Sequence, residues 1–418
     1  MKKLFLLLLT FLVACAPAVN GGSLFNILPE EKEIEIGNAY VPYAIEESDG
    51  LYPDRRVQDY VKSVGMTIAR YTPRKLPYKF FVVNSDAVNA FALPGGPVFI
   101  TRGLLLKLNS ESELAGVLGH ELGHINARHH AKFLEKMYAM NILFNIGAAI
   151  IADKPYAQAV LQFGQIGGQL LALKFSRDQE READELGVIY ALKAGYDPNG
   201  LLGVFETFKS MERAKAPEWL QTHPLPESRI RDVQREIQSI KPSGSLISDS
   251  EEFHTIKRLL KETEASYSEF YKGKGYYRRK DYSLALEHFK KAVELYDKNY
   301  EAHLYIAYIL ANSDLTSALS HAEKAYSIMP EVFSTNYVYG FVLFKVGDYA
   351  PSLEKLEKAR RLIPDYADVY YYAGRDYEAL KDYKKAVSYY KTALELSEGK
   401  APWAQDAKER LRRLQGVW

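Results

Sequence analysis

The 418-residue chain has almost no cysteine: Cys15 stands alone. A single cysteine closes no internal disulfide, so the fold does not rest on a disulfide framework. Net charge is nearly absent too. The 54 Lys and Arg against 53 Asp and Glu leave +1 at pH 7, so there is no basic field for nucleic acid and no acidic excess for a basic partner. Neither of the two apolar runs reaches the roughly 20 residues that a membrane-crossing helix needs. What is present is a globular composition, 47% apolar and 26% charged, over a length that suits two or three cores rather than one.

The N-terminus, MKKLFLLLLTFLVAC, starts with Lys2 and Lys3, continues through a short apolar run and ends in small residues before Cys15. That is the layout of a secretory signal peptide. Leu12-Val13-Ala14-Cys15 resembles a bacterial lipobox, in which the cysteine is lipidated and becomes the mature N-terminus. The resemblance implies an exported protein with a lipid anchor on Cys15, held to a membrane in the periplasm. Ala16 rather than Asp after the cysteine favours the outer membrane in a Gram-negative cell.

Composition divides the chain into a signal peptide (1–14), a tether and N-terminal segment (15–54), a mixed α/β block (55–240), a linker (241–262) and a helical block (263–418). The linker reading rests on the Pro, Gly and Ser of KPSGSLISDSEE. The helical block repeats itself. Ala285, Ala318, Ser352 and Ala386 fall at one register, and Ala292, Ala325, Ala359 and Ala393 at another. The spacing is about 34 residues, the period of tetratricopeptide helix pairs. Gly273, Gly340 and Gly374 take the small position between paired helices, and Pro330 and Pro364 end their repeats. The second repeat is degenerate, with Ile306-Ala307 at the expected glycine. Four repeats and a polar capping helix predict a concave binding surface, and say little about what it binds.

In the middle block, Tyr78 to Asn84 and Pro97 to Thr101 read as strands from their β-branched and aromatic content. Pro94-Gly95-Gly96 turns the chain between them. One long helix is predicted from Ser110, whose spacing to Glu113 is that of a capping box, and a second from Ser176 to a C-cap near Gly195. The apolar stretch Tyr138 to Phe175 between them predicts buried helices or a lid over a groove, with membrane contact as the other reading.

The first of these helices carries His120-Glu121-Leu122-Gly123-His124. Residues four apart lie on one face, about 6 Å along the axis, so both imidazoles can reach one Zn²⁺. Glu121, next to the first histidine, is placed to accept a proton from water activated there. Two candidates compete for the third ligand. His130 has the spacing of a longer zinc motif, but Ala127 stands where that motif needs a glycine to leave the helix. In a continuing helix His130 would be about 9 Å beyond His124, which leaves His129 and His130 exposed or as outer contacts. The other candidate is Glu180 in SRDQEREAD, with Glu182 as a rival on another face. Asp184, four residues after Glu180, could accept the second ring N–H of a ligand histidine. An exposed acidic helix fits the same residues.

HExxH followed by SRDQEREADELG and THPLPESRI resembles the HtpX and CAAX-prenyl-protease family of zinc peptidases. The lipobox and C-terminal repeats resemble its BepA-like, β-barrel assembly-enhancing branch. The resemblance implies an α+β, mainly helical fold: a zincin-like metalloprotease domain with a small edge sheet, followed by an all-α repeat solenoid. It implies one Zn²⁺ on His120, His124 and Glu180, with Glu121, Asp184 and His223 as catalytic residues and Arg229 as a further possible participant. In that branch a histidine placed like His223 can cap the metal and release it on activation. His223 could instead stabilise an oxyanion, or only shape a loop. The implied substrates are unfolded or misassembled envelope proteins, with the repeats reaching the outer-membrane β-barrel assembly machinery and no nucleic acid involved. An extended substrate is expected to add to the strand at Pro97 to Thr101 as a sheet edge. The alternative function is a repeat chaperone or scaffold with marginal proteolysis. A prenyl-protein protease is disfavoured, because those enzymes span the membrane several times.

Overall fold

The computed structural model describes residues 28–139, 166–212, 216–240 and 244–416. The signal peptide, Cys15 and most of the apolar stretch after Tyr138 lie outside the described residues. Chain entry is helical: α1 (Glu30–Glu47) buries Tyr40, Ala44 and Ile45. Within the tether and N-terminal segment (15–54), the chain is packed from Glu30 onward, and Glu33 is buried against Arg74 at 2.7 Å.

Helix α2 (Arg55–Ala69) starts on an Asp54 cap and turns Val57, Tyr60, Val61, Val64 and Ile68 inward, the 3–4 spacing of an amphipathic helix. It covers a three-stranded sheet of β1 (Lys79–Val83), β2 (Ala90–Ala92) and β3 (Pro97–Thr101), in the order β1-β3-β2. β1 runs parallel to β3 and β2 antiparallel. β3 is thus the central strand, with all five residues buried. The expectation that it forms an edge is wrong. The missed strand β2, three residues of a stretch read only as an approach to the turn, takes the edge instead. Gly95 permits the β2–β3 turn: its φ is +76°, and a Cβ there would lie 2.4 Å from the Ile34 Cα.

After α3 (Arg102–Lys107), Ser110 caps α4 (Glu111–Asn126) as expected, while Glu113 reaches back to the Asn109 amide. The predicted long helix is broken, however. α4 stops at Ala127, Arg128 takes a left-handed φ of +59°, and α5 (His129–Ala139) leaves in a new direction. Arg128 earns that conformation through its side chain, which reaches Glu33 and donates to the Leu28 carbonyl at 2.6 Å. α6 (Arg177–Lys193) begins on a full Ser176/Gln179 capping box and crosses α4 closely. Glycines make that approach possible: a Cβ on Gly187 would sit 2.7 Å from the His120 backbone nitrogen, and one on Gly119 2.8 Å from the Gly187 carbonyl. α7 (Asn199–Glu212), the short α8 (Trp219–Thr222) and α9 (Glu227–Ser239) close the domain.

Half of the expected linker is helix. α10 (Glu251–Glu262) buries Phe253, Ile256 and Leu260, because the periodicity within it is apolar enough to pack. Four helix pairs follow, α11 to α18: Glu264–Arg278 with Tyr282–Leu295, Tyr300–Leu310 with Leu315–Ile328, Phe333–Val346 with Tyr349–Leu362, and Ala367–Ala379 with Tyr383–Leu396. α19 (Ala404–Gln415) caps them. All eight register residues, from Ala285 to Ala393, are fully buried. The fold is the mainly helical α+β arrangement expected, and the repeats pack on the first domain. Tyr43 Oη donates to Asp365 at 2.6 Å, the Leu51 amide to Tyr300 Oη at 2.8 Å, and the Asp86 amide to Tyr271 Oη at 3.0 Å.

Candidate metal centre

Helix α4 supplies His120 and His124, α6 supplies Glu180, and the turn after α8 supplies His223; one ligand atom from each lies within 4.8 Å of all the others, and all four residues are buried. The two imidazole Nε2 atoms are 3.0 Å apart. Donors about 2.0 Å from a shared tetrahedral ion would be about 3.3 Å apart. Glu180 lies 3.4 Å from His124 Nε2 and 3.8 Å from His120 Nε2. Glu121 reaches the same space, with one carboxylate oxygen 3.8 Å from His223 Nε2.

Hydrogen bonds fix the rings from behind. Asp184 accepts from His120 Nδ1 at 2.9 Å, which leaves the Nε2 lone pair facing inward. Asp184 is held in turn by the Arg229 fork, Nε at 2.7 Å and Nη2 at 2.8 Å, while Nη1 is 2.5 Å from Glu180. Arg229 also donates to the Pro224 carbonyl at 2.8 Å, tying the His223 turn to α6. Behind His124, its Nδ1 meets His129 Nδ1 at 2.8 Å, and His129 Nε2 meets Glu182 at 3.1 Å.

The residues present fit a divalent cation. Glu180 Oε1, Glu121 Oε2 and His223 Nε2 are buried without a hydrogen-bond partner, a costly state that an ion at their centre relieves. Burial lowers His120 despite its aspartate, and burial with neighbouring histidines drives His124 and His223 well below the usual range, so all three offer neutral lone pairs. Burial pushes Glu180 well above the carboxylate range and Glu121 up to about 8. Burial alone would raise Asp184 too, but the Arg229 guanidinium and the His120 hydrogen bond hold it low. Asp184 and Arg229 cancel. Glu121 and Glu180 are left without a matching charge, and a divalent cation at their centre would let both ionise.

Every site residue named from the sequence and described here is in or against this cluster, save His130 and Glu182. His130 stays outside it, but not because the helix continues: α4 ends before Arg128, whose φ is positive, and His130 belongs to α5. His129 and His130 are buried, not exposed. Glu182 faces away and is half exposed. Two aromatic contacts escaped the sequence reading. Phe175 stacks on His124 at 3.9 Å, and Trp219 stacks on His223 at 4.5 Å with its indole N–H 3.4 Å from Glu121. Trp219 stands four residues before His223, a spacing that could have revealed it.

Comparison with known proteins agrees with this geometry. The profile of Peptidase family M48 matches residues 53–237. Metalloprotease YcaL of Escherichia coli is 31% identical over 189 residues, which cover 45% of this chain and 71% of that protein. The chain belongs to peptidase family M48. This is a family of metal-dependent peptidases, as HExxH led one to expect, and the buried His120, His124, Glu180 and His223 cluster could hold a metal ion. Its second half matches tetratricopeptide repeat profiles over residues 272–331 and 331–399. The beta-barrel assembly-enhancing protease of Escherichia coli is 31% identical over 245 residues, 57% of this chain and 50% of that protein. The mitochondrial metalloendopeptidase OMA1 of Schizosaccharomyces pombe is 33% identical over 187 residues, covering 44% of this chain and 52% of that protein. The chain thus spans about half the length of the last two of these relatives.

Proposed function

We propose that this M48 chain is a zinc endopeptidase, tethered through Cys15 to the periplasmic face of the outer membrane, that cleaves unfolded or misassembled envelope polypeptides. The observation that carries the reading is the convergence of His120, His124 and Glu180 on one point beside an unpartnered Glu121 oxygen. His120, His124 and Glu180 would hold Zn²⁺, which supplies Lewis acidity to water and to the scissile carbonyl. Glu121 takes the proton of the attacking water at Oε2 as the new C–O bond forms. It returns that proton to the amide nitrogen as the C–N bond breaks. Asp184 keeps His120 in the ligating tautomer and Arg229 keeps Asp184 ionised, so Asp184 acts by positioning rather than as proton donor.

His223 fills the fourth corner of the cluster. The same segment meets the chain just before β2, where the Trp219 amide donates to the Val88 carbonyl at 3.1 Å. Withdrawal of this segment would open the water position and free the Val88 carbonyl beside β2. Substrate added along β2 is read by its backbone, which favours unfolded chains over a particular sequence. The repeats would recruit substrate or the β-barrel assembly machinery, a role suggested by the name of the relatives in the enteric bacteria.

The test is a Glu121→Gln variant assayed on reduced, unfolded casein, with zinc counted by plasma mass spectrometry. Zinc should stay at one per chain while cleavage falls by about 10²–10⁴, and Glu180→Ala should lose the metal. Undiminished cleavage by Glu121→Gln overturns the assignment. A second reading, a repeat scaffold with marginal proteolysis, is favoured by the closure of the site, in which His223 is only 1% exposed. If deleting 241–418 causes an envelope defect and Glu121→Gln causes none, the scaffold reading prevails.

A further inference from the structure

A cavity of 660 Å³ opens between α1 and the hollow face of the repeats, away from the metal centre. Both halves of the chain build it. α1 and the turn after it bring Glu46, Glu47 and Asp49; the repeats bring Glu301 and Asp365. No lysine or arginine is among the lining residues. Asp49 is paired with Lys274, but among the described residues none of the other four meets a basic side chain. Glu301 is 6% exposed; its Oε1 accepts from Asn84 Nδ2, and its Oε2 has no hydrogen-bond partner. A buried carboxylate oxygen left without a donor is a receptor awaiting one.

The remaining wall is aromatic. Tyr305, Tyr308, Tyr337 and Tyr366 line it, and Tyr308 and Tyr366 are 38% and 39% exposed. Tyrosine faces attract cations through the ring quadrupole, and Leu304 and Val338 offer apolar surface for an alkyl stem. Carboxylates around π faces reject an acidic segment and leave a neutral one with unmatched charge.

We infer that this cavity receives a lysine or arginine side chain of a bound polypeptide, so that the repeats select basic segments for the peptidase domain. The inference rests on the reading that the repeats recruit polypeptide, and adds the chemistry they select. The guanidinium or ammonium donates to Glu301 Oε2, with its stem against the tyrosines. Because α1 supplies part of the wall, the selection needs both halves docked as they are here.

The experiment is fluorescence anisotropy with the full chain, in a Glu121→Gln background so that the probe stays intact. Two fluorescein-labelled, unstructured peptides are compared, identical except that lysine and arginine in one are glutamine in the other. The basic peptide should bind about tenfold more tightly, with a gap that narrows as salt rises. Glu301→Gln should remove most of that gap. Tyr308→Leu, at the exposed rim where folding is not at risk, should narrow it as well. Equal binding of the two peptides overturns the inference and leaves recruitment standing. Binding of neither overturns both. A gap that neither variant changes places the basic preference elsewhere and also overturns the assignment.

Discussion

Arg229→Met removes the guanidinium that, among the described residues, is the cation built into the metal centre, and it is the sharpest probe of that centre's architecture. The guanidinium is 1% exposed; it donates to the Asp184 carboxylate through a fork at 2.7 and 2.8 Å and to the Pro224 carbonyl at 2.8 Å, and it forms an ion pair with Glu180 at 2.5 Å. Methionine fills a similar volume but donates nothing. Breaking a buried ion pair from one side costs about 3–5 kcal/mol, because the partner charge stays buried without compensation. In a domain of this size each kcal/mol lowers Tm by about 2–4 °C, so the zinc-loaded variant should melt about 6–20 °C below wild type. Metal affinity should fall too, by about 10- to 100-fold, since Asp184 would no longer be fixed behind His120. Arg229→Lys restores the charge without the fork and should recover only part of both losses. Calorimetry on the zinc-loaded chain and competition with a chromophoric chelator measure the two quantities. A Tm within 2 °C of wild type with unchanged zinc affinity would mean that the Arg229–Asp184 pair does not organise this site.

His223→Ala vacates the fourth corner, so casein cleavage should rise severalfold at unchanged zinc stoichiometry; a fall would make the histidine part of the chemistry rather than its cap. Gly187→Ala pushes a Cβ against the His120 backbone and should cost about 1–3 kcal/mol in a urea melt, with weaker zinc binding. Asp376, buried between repeats with Oδ2 accepting from Ser352, is pushed up to about 7 by burial. The folded chain therefore holds a proton that the unfolded chain has released above about pH 4, and stability drains away as pH rises toward 7. Asp376→Asn should be near neutral at pH 4 and raise Tm at pH 8; an equal difference at both pH values refutes the burial argument.

How far the sequence could be read follows from where its periodicities end. The repeat block was legible throughout, because each small residue at its register sees only the neighbouring helix, and Ala285 or Ala393 is buried for a local reason. Spacing on one helix likewise placed His120 with His124, and Glu180 with Asp184. No spacing within a helix could choose Glu180 over an exposed acid: that choice depends on α4 and α6 crossing at Gly119 and Gly187, and the family resemblance had to supply it. β2 was hidden because three residues are too short for alternation to declare itself, and its pairing with β3 is a tertiary fact. The break at Arg128 was hidden for a different reason. Ala127 and Arg128 are good helix formers, and local propensity predicts continuation. The left-handed turn is stabilised from a distance, by Glu33 on α1 and the Leu28 carbonyl. That break turns α5 so that His129 stands behind His124 and connects it to the half-exposed Glu182. The N-terminal helix α1, for which the sequence reading assigned no element, therefore helps shape the metal centre at one end while its Glu46 and Glu47 wall the acidic cavity at the other. Any force on the repeats that shifts α1 is thereby placed to reach both.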